Sequence, residues 1–319
     1  MAASVPQPAA GAGERSASGG IPWYRRRHVH IAVGLLVAIL AALWAGQRAA
    51  DGVRDALDAR LRDAGAGAIA GLVVVEGEQL SALRAATFTA GVGHALATRD
   101  VAALNRLVAP IQANYDVPML DVVLPDGRVV LAVRSKGAPP PVRSRRGMAA
   151  LALSLRRAGG AHGGRFSQLV ILRSGPALLT IGPLEDGGRA VGAVLVMTPL
   201  ADVLGRLSQQ VGTTLTAYAA NGAPIATTAP WRPKDVGPET ARTLIGGGPI
   251  RMRYVHGSQR EALGRLIVDH QPDALLGTSL ADDSWVTGRA VLLYVVVGLL
   301  CTVVIAGSFG LRLRRGERA

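Results

Sequence analysis

The apolar positions of this 319-residue chain follow three patterns in turn: long runs near the ends, helical spacing in the first third, and short strands between turns thereafter. The runs are Val29 to Gly46 and Ala290 to Leu311. A spanning helix needs roughly 20 mainly apolar residues to cross about 30 Å of hydrocarbon. The second run meets that length and the first lies at its lower edge. Arg25, Arg26 and Arg27 precede the first run, and Arg312, Arg314, Arg315 and Arg318 follow the second. Basic residues beside a span stay on the cytoplasmic side, so both termini are expected in the cytoplasm and residues 47 to 289 outside a plasma membrane crossed twice. Both runs carry small residues at every fourth position: Gly34, Ala38, Ala42 and Gly46 in one, Gly298, Thr302, Ala306 and Gly310 in the other. Such faces let membrane helices approach closely. Trp23, Tyr24, Trp44 and Trp285 stand near the predicted interfaces, as an aromatic belt would place them. The first run also has the basic, apolar, small-residue order of a cleaved signal peptide, although Trp44 is bulky for the cleavage site.

After the first run, Val53, Leu57 and Leu61 keep a four-residue spacing, so the helix is expected to continue outward. Gly65, Gly67 and Gly71 weaken it, and Val73 to Val75 fits helix or strand. Helical spacing resumes at Leu80, Leu83, Phe88 and Val92 and runs to Ile111, with a break where Asp100 can cap a further helix. From Met119 the period changes. Met119 to Leu124, Pro125-Asp126-Gly127 and Arg128 to Val133 read as a hairpin. A Pro-rich loop at 138–141 and a helix around 148–157 follow, then strands at Phe166 to Leu172, Ala177 to Ile181 and Arg189 to Met197. Thr198-Pro199 opens a helix over Leu200 to Val211. The scheme then repeats. A hairpin turns at Asn221-Gly222, a short helix covers Glu239 to Leu244, and strands follow at Ile250 to His256, Glu261 to Asp269 and Ala274 to Leu280. This second unit reads as the smaller one.

The hairpin Asp121 to Leu131 (DVVLPDGRVVL), the strand Gly188 to Leu200 (GRAVGAVLVMTPL) and the second hairpin Thr214 to Thr228 (TLTAYAANGAPIATT) together resemble the double Cache sensor region of bacterial transmembrane receptors. The resemblance covers the segment between the runs and the runs themselves. It implies an α+β chain of two tandem PAS-like modules with antiparallel sheets on a long N-terminal helix, flanked by two transmembrane helices. The expected division is a disordered cytoplasmic tail (1–28), a first span (29–46), a helical stalk (47–115), a membrane-distal module (116–199), a membrane-proximal module (200–286), a second span (287–311) and a short tail (312–319). It also implies a small-molecule ligand in the distal module and a homodimer. The Arg-x-Trp-Tyr type motif of amino-acid-binding members is not found between Lys136 and Arg173, so amino-acid binding is not supported. Only Arg312 to Ala319 follow the second run, so output is expected from a cytoplasmic or membrane partner, or from a region beyond this sequence.

Composition changes this picture little. Each tail holds four basic residues against one acidic, leaving 27 against 20 between the runs. All but Lys136 and Lys234 of the 35 basic residues are arginines, as an arginine-biased genome would give, and nucleic acid is not an expected partner. The single cysteine, Cys301, lies in the second run, which excludes an intrachain disulfide and a cysteine metal site. His94, His162, His256 and His270 lack metal-ligand spacing, so neither metal nor cofactor is expected. No Gly-x-Ser-x-Gly elbow is present and no enzymatic role is expected. The chemistry that remains is a cluster of arginines in the first module. Guanidinium groups grip carboxylates bidentately, so an organic anion is the expected ligand. Arg143, Arg146, Arg165 and Arg173 are the candidates, with Arg165 and Arg173 preferred, and Asp121 faces either pocket or solvent. Asp282-Asp283 is expected to be a solvated turn. The alternative function is an envelope scaffold that binds a protein and no small ligand.

Overall fold

A computed structural model describes residues 23–140, 165–269 and 271–316. The chain divides into two compact units, one of residues up to Asp51 with those from Ser284 on, the other Gly52–Asp283. The expected helix at 148–157, and with it Arg143 and Arg146, lies outside the described residues.

A single helix, α1 (Trp23–Phe88), runs 66 residues without interruption. Gly65, Gly67 and Gly71 therefore do not break it, and the reason is packing. Two of them lie where neighbours come closest: a Cβ on Gly67 would stand 3.2 Å from the Val211 side chain and one on Gly71 2.5 Å from Leu207 Cδ2, whereas at Gly65 it would make ordinary contact with Thr278 at 3.7 Å. Tertiary contact outweighs the roughly 1 kcal/mol helix penalty of each glycine. Val73 to Val75 is helical too, with Val75 buried and Val73 and Val74 outward. The short α2 (Val92–Ala97) and α3 (Val101–Asn114) follow, the latter capped by Asp100, whose Oδ1 accepts from the Ala103 N–H at 2.9 Å.

The first sheet holds β1 (Met119–Val123), β2 (Val129–Arg134), β3 (Phe166–Leu172), β4 (Gly175–Asp186) and β5 (Arg189–Pro199). All its pairings are antiparallel and the order is β2-β1-β5-β4-β3. After α4 (Leu200–Val211), the second sheet takes β6 (Thr214–Ala219), β7 (Pro224–Thr227), β8 (Arg251–His256), β9 (Gln259–Val268) and β10 (Gln271–Ala281), with α5 (Pro238–Ile245) inserted. Its order, β7-β6-β10-β9-β8, repeats the first. The second module is thus not the smaller in its sheet. Both opening turns are built alike: Asp126 Oδ1 accepts from the Arg128 N–H and Asn221 Oδ1 from the Ala223 N–H, while Gly127 and Gly222 take positive φ.

Each sheet buries both faces. Alternation along β1 sends Leu120 and Val122 toward the helices, where they join Leu83 and Ala86 of α1, Leu96 of α2 and Leu104 and Val108 of α3. Met119 and Val123 point the other way, into an outer core with Leu179, Ile181, Leu195 and Met197. In the second module Leu215, Ala217 and Leu276 face Ala68 and Leu72 of α1 and Val203, Leu204 and Leu207 of α4. The outer face of the second sheet packs Tyr218, Leu263 and Leu275 against Ala241 and Leu244 of α5.

One polar clasp fixes α1 on the first sheet. The buried Gln79 donates from Nε2 to Thr198 Oγ1 at 2.7 Å and accepts at Oε1 from Thr180 Oγ1 at 2.7 Å, and Thr180 in turn meets Ser167 Oγ at 2.9 Å. On the second sheet Thr278 Oγ1 donates to the Leu61 carbonyl at 3.0 Å.

In the other unit, α1 meets α6 (Ser284–Gly316) at glycines. A Cβ on Gly46 would stand 3.2 Å from the Gly288 carbonyl, and one on Gly288 3.3 Å from Ala50 Cβ. Ala42 is buried and Ala38 half-buried, whereas Gly34 and Gly298 are exposed with nothing within 4 Å of a built Cβ. The side chains of Thr302 and Ala306 lie outside the described residues. Among the described residues α1 is long and apolar enough to cross a membrane, and the apolar part of α6, Val286–Leu300, is shorter.

Two glycines test the packing account. Gly93 of α2 lies so close to the Glu185 carbonyl that a Cβ would overlap it, while Gly205 in α4 has open space. Gly93→Ala is expected to cost about 3 kcal/mol, and Gly205→Ala to add about 0.5–1 kcal/mol, both read from urea unfolding.

Candidate functional site

Asp121 shares the outer face of the first sheet with Met119 and Val123, and it is fully buried. Its partner is Arg134, which stands opposite Met119 at the end of β2 and reaches diagonally to the carboxylate. Arg134 Nη1 donates to the Val133 carbonyl at 2.9 Å, which fixes the guanidinium plane. Arg134 Nε is buried and has no hydrogen-bond partner among the described residues. A buried donor without an acceptor costs about 1–3 kcal/mol. The expectation that Asp121 faces pocket or solvent thus resolves into a buried ion pair on an apolar face. Arg134 escaped sequence reading because nothing distinguishes it among so many arginines until the register of β1 and β2 is known.

The other candidates part company. Arg173 stands exposed in the turn between β3 and β4. Arg165, just before β3, lines a separate cleft of about 660 Å³ between α1, β3 and β9, together with Glu76, Arg84 and Asp269. Its guanidinium lies 4.7 Å from the centre of the Phe88 ring. Asp121 does not line that cleft. Across it the Ser167 N–H donates to Asp269 Oδ2 at 3.2 Å, a bond that joins the two modules.

The equivalent outer face of the second sheet is closed by its own side chains. Tyr218 Oη donates to Glu261 Oε1 at 2.8 Å, and Arg253 Nε donates to Glu261 Oε2 at 2.7 Å. The remaining Arg253 donors go to Tyr218 Oη and to the carbonyls of Lys234 and Asp235. Gly277 makes this possible, because a Cβ there would overlap the Glu261 carboxylate. Burial, with Glu261 alongside, pushes the Tyr218 hydroxyl upward.

A second polar set lies at the foot of this module. Arg260 binds Asp58 of α1 through Nε at 2.7 Å and Nη2 at 2.9 Å, and Tyr254 Oη donates to Asp282. Asp282 is buried, unlike its exposed neighbour Asp283, so the expected solvated pair is half a structural anchor. Sequence could not show this, since the Tyr254 partner comes from two strands away. Among the described residues no cluster of His, Cys, Asp and Glu could hold a metal ion.

No protein-family model matches this chain, and no curated protein matches it. The solved structures it resembles are extracellular or periplasmic sensor domains, Cache/PAS-like in fold, of histidine kinases and chemoreceptors. The periplasmic domain of Vibrio cholerae LuxQ is 13% identical, with a TM-score of 0.47 over 69% of this chain and 99% of that one. The sensor domain of the V. cholerae histidine kinase DctB is 8% identical, with a TM-score of 0.49 over 72% and 97%. The ligand-binding domain of the Campylobacter jejuni chemoreceptor Tlp3, in complex with 4-methylisoleucine, is 12% identical, with a TM-score of 0.48 over 77% and 93%. At these identities and scores the likeness is one of fold, not of ligand or output.

Burial pushes the Glu261 carboxyl above its ordinary 4.5, against the opposing pull of Arg253 and Tyr218. The folded protein then keeps a proton that the unfolded chain releases, so this group's contribution to stability falls as pH rises from about 4.5 through the raised value. Glu261→Gln is expected to lose that slope, measured as the difference between wild-type and variant urea midpoints over about pH 4 to 8. Parallel curves would contradict the assignment.

Proposed function

We propose that this chain is a membrane-anchored extracytoplasmic sensor whose first module binds a small organic anion. The observation that carries the reading is the asymmetry of the two outer faces. The second is closed by the Tyr218–Glu261–Arg253 set, whereas the first holds Arg134 beside Asp121 with a buried Nε that has no hydrogen-bond partner among the described residues. Anchoring is supported by the apolar stretch of α1, where Leu36, Leu40 and Trp44 are 57%, 56% and 67% exposed. In this reading the ligand favours one arrangement of the modules, and the last strand passes the change to α6, which it precedes directly in sequence. A ligand biases such an equilibrium only by its differential affinity for the two states.

The test uses the full chain in nanodiscs, melted against a library of small organic anions without apolar tails, such as di- and tricarboxylates. A ligand at 100 times its Kd is expected to add about 2.7 kcal/mol. Asp121→Ala alone strands the guanidinium and is expected to cost about 3–5 kcal/mol, whereas Asp121→Leu with Arg134→Met is expected to stay folded. That double variant should lose the ligand shift. A library with no stabilising compound, or a double variant that responds like wild type, would sink the reading.

A further inference from the structure

The cleft that holds Arg165 is built differently from the face around Asp121. Its walls come from α1, from the first module through β3 and from the second through β9. Its volume of about 660 Å³ suits a small molecule. Along α1 the lining runs from Ile69 and Val73, through Leu80, to Arg84. Roughly fifteen residues of helix make that groove about 22 Å long. Arg165 stands at the Arg84 end, held by the Phe88 ring and packed with its Cγ against the bare face of Gly182. Its Nε is buried without a hydrogen-bond partner among the described residues. Neither carboxylate in the cleft bonds to this Nε, and Asp269 Oδ2 takes the Ser167 N–H instead. The groove is therefore apolar toward Ile69 and Val73 and holds Arg84 and Arg165 at its other end, with the carboxylates of Glu76 and Asp269 also in its lining and the Arg165 Nε unfilled among the described residues.

We propose that this cleft is a second ligand site, for an amphipathic carboxylate. The carboxylate head meets Arg165 and Arg84, and the apolar tail lies along α1 against Val73, Ile69 and Ile267. Because both modules wall the cleft, an occupant favours the arrangement in which the Ser167–Asp269 bond is made. The site is independent of the one proposed around Arg134.

The test is calorimetric titration of the full chain in phosphatidylcholine nanodiscs, with empty nanodiscs subtracted. Three probes separate head from tail: octanoate, octyltrimethylammonium with the same tail and reversed charge, and succinate with no tail. Octanoate is expected to bind at least about tenfold more tightly than either, the worth of one charge-assisted hydrogen bond. Arg165→Gln should weaken octanoate by about the same factor. Val73→Trp, at an exposed position, should fill the groove and abolish binding. The Asp121→Leu, Arg134→Met double variant should bind octanoate unchanged, which separates failure of this site from failure of the first-module site. Equal binding of octanoate and the cation, no heat beyond empty nanodiscs, or unchanged binding in both Arg165→Gln and Val73→Trp would overturn the proposal.

Discussion

The unit Gly52–Asp283 depends on one helix serving two sheets. An isolated sheet of five strands must cover an apolar face, and here α1 contributes to that cover twice, through Ala68 and Leu72 for the second sheet and Leu83 and Ala86 for the first. Where it passes α4, Gly67 and Gly71 admit Val211 and Leu207 at distances a side chain would crowd or forbid. Where it crosses the first sheet, Gln79 reads β4 and β5 through Thr180 and Thr198, so that its buried amide is satisfied only in this register. Close approach and this buried polar clasp together fix the helix along its axis. A slip of one turn would place side chains into Leu207 and strand the amide.

That constraint leaves the outer faces free to differ. Each lies on the far side of its sheet from α1, so neither is needed to hold the spine. In the second module the space is taken by Tyr218, Glu261 and Arg253, whose polar atoms satisfy one another. In the first, the carboxylate and guanidinium of Asp121 and Arg134 are paired, and Nε has no hydrogen-bond partner among the described residues. Replacing a buried ion pair by apolar side chains is often neutral or stabilising. A buried donor that no described residue meets is what the proposed first-module site offers a ligand.

Local signals were legible in the sequence. Asp126-Gly127 and Asn221-Gly222 marked both hairpins, Asp100 marked the cap of α3, and alternation located most of the strands. The misreadings share a cause. Gly65, Gly67 and Gly71 counted against a helix because propensity is a property of the isolated segment, whereas their use lies in contacts with α4 and β10. Asp282 was read as solvated because its partner Tyr254 is 28 positions away. That Arg165 and Asp121 stand in separate places was not legible either, because it follows from which face of β3 meets α1, and that is a matter of register.

Register also determines how a change in the first module could travel. Leu178 of β4 packs in the core of the second module, and Asp269 of the β9–β10 turn accepts the Ser167 N–H of β3. The second sheet is tied back to α1 by Arg260 on Asp58 and by Thr278 on the Leu61 carbonyl. Tyr254 holds Asp282, two residues before α6 begins. The links are short-range and directional, so movement of β3 relative to β9 changes hydrogen bonds rather than only apolar contacts. Close-packed cores switch between discrete arrangements instead of deforming smoothly. In the proposed sensor, a ligand at either site acts through this junction only by the difference in its affinity for arrangements with the Ser167–Asp269 bond made and broken.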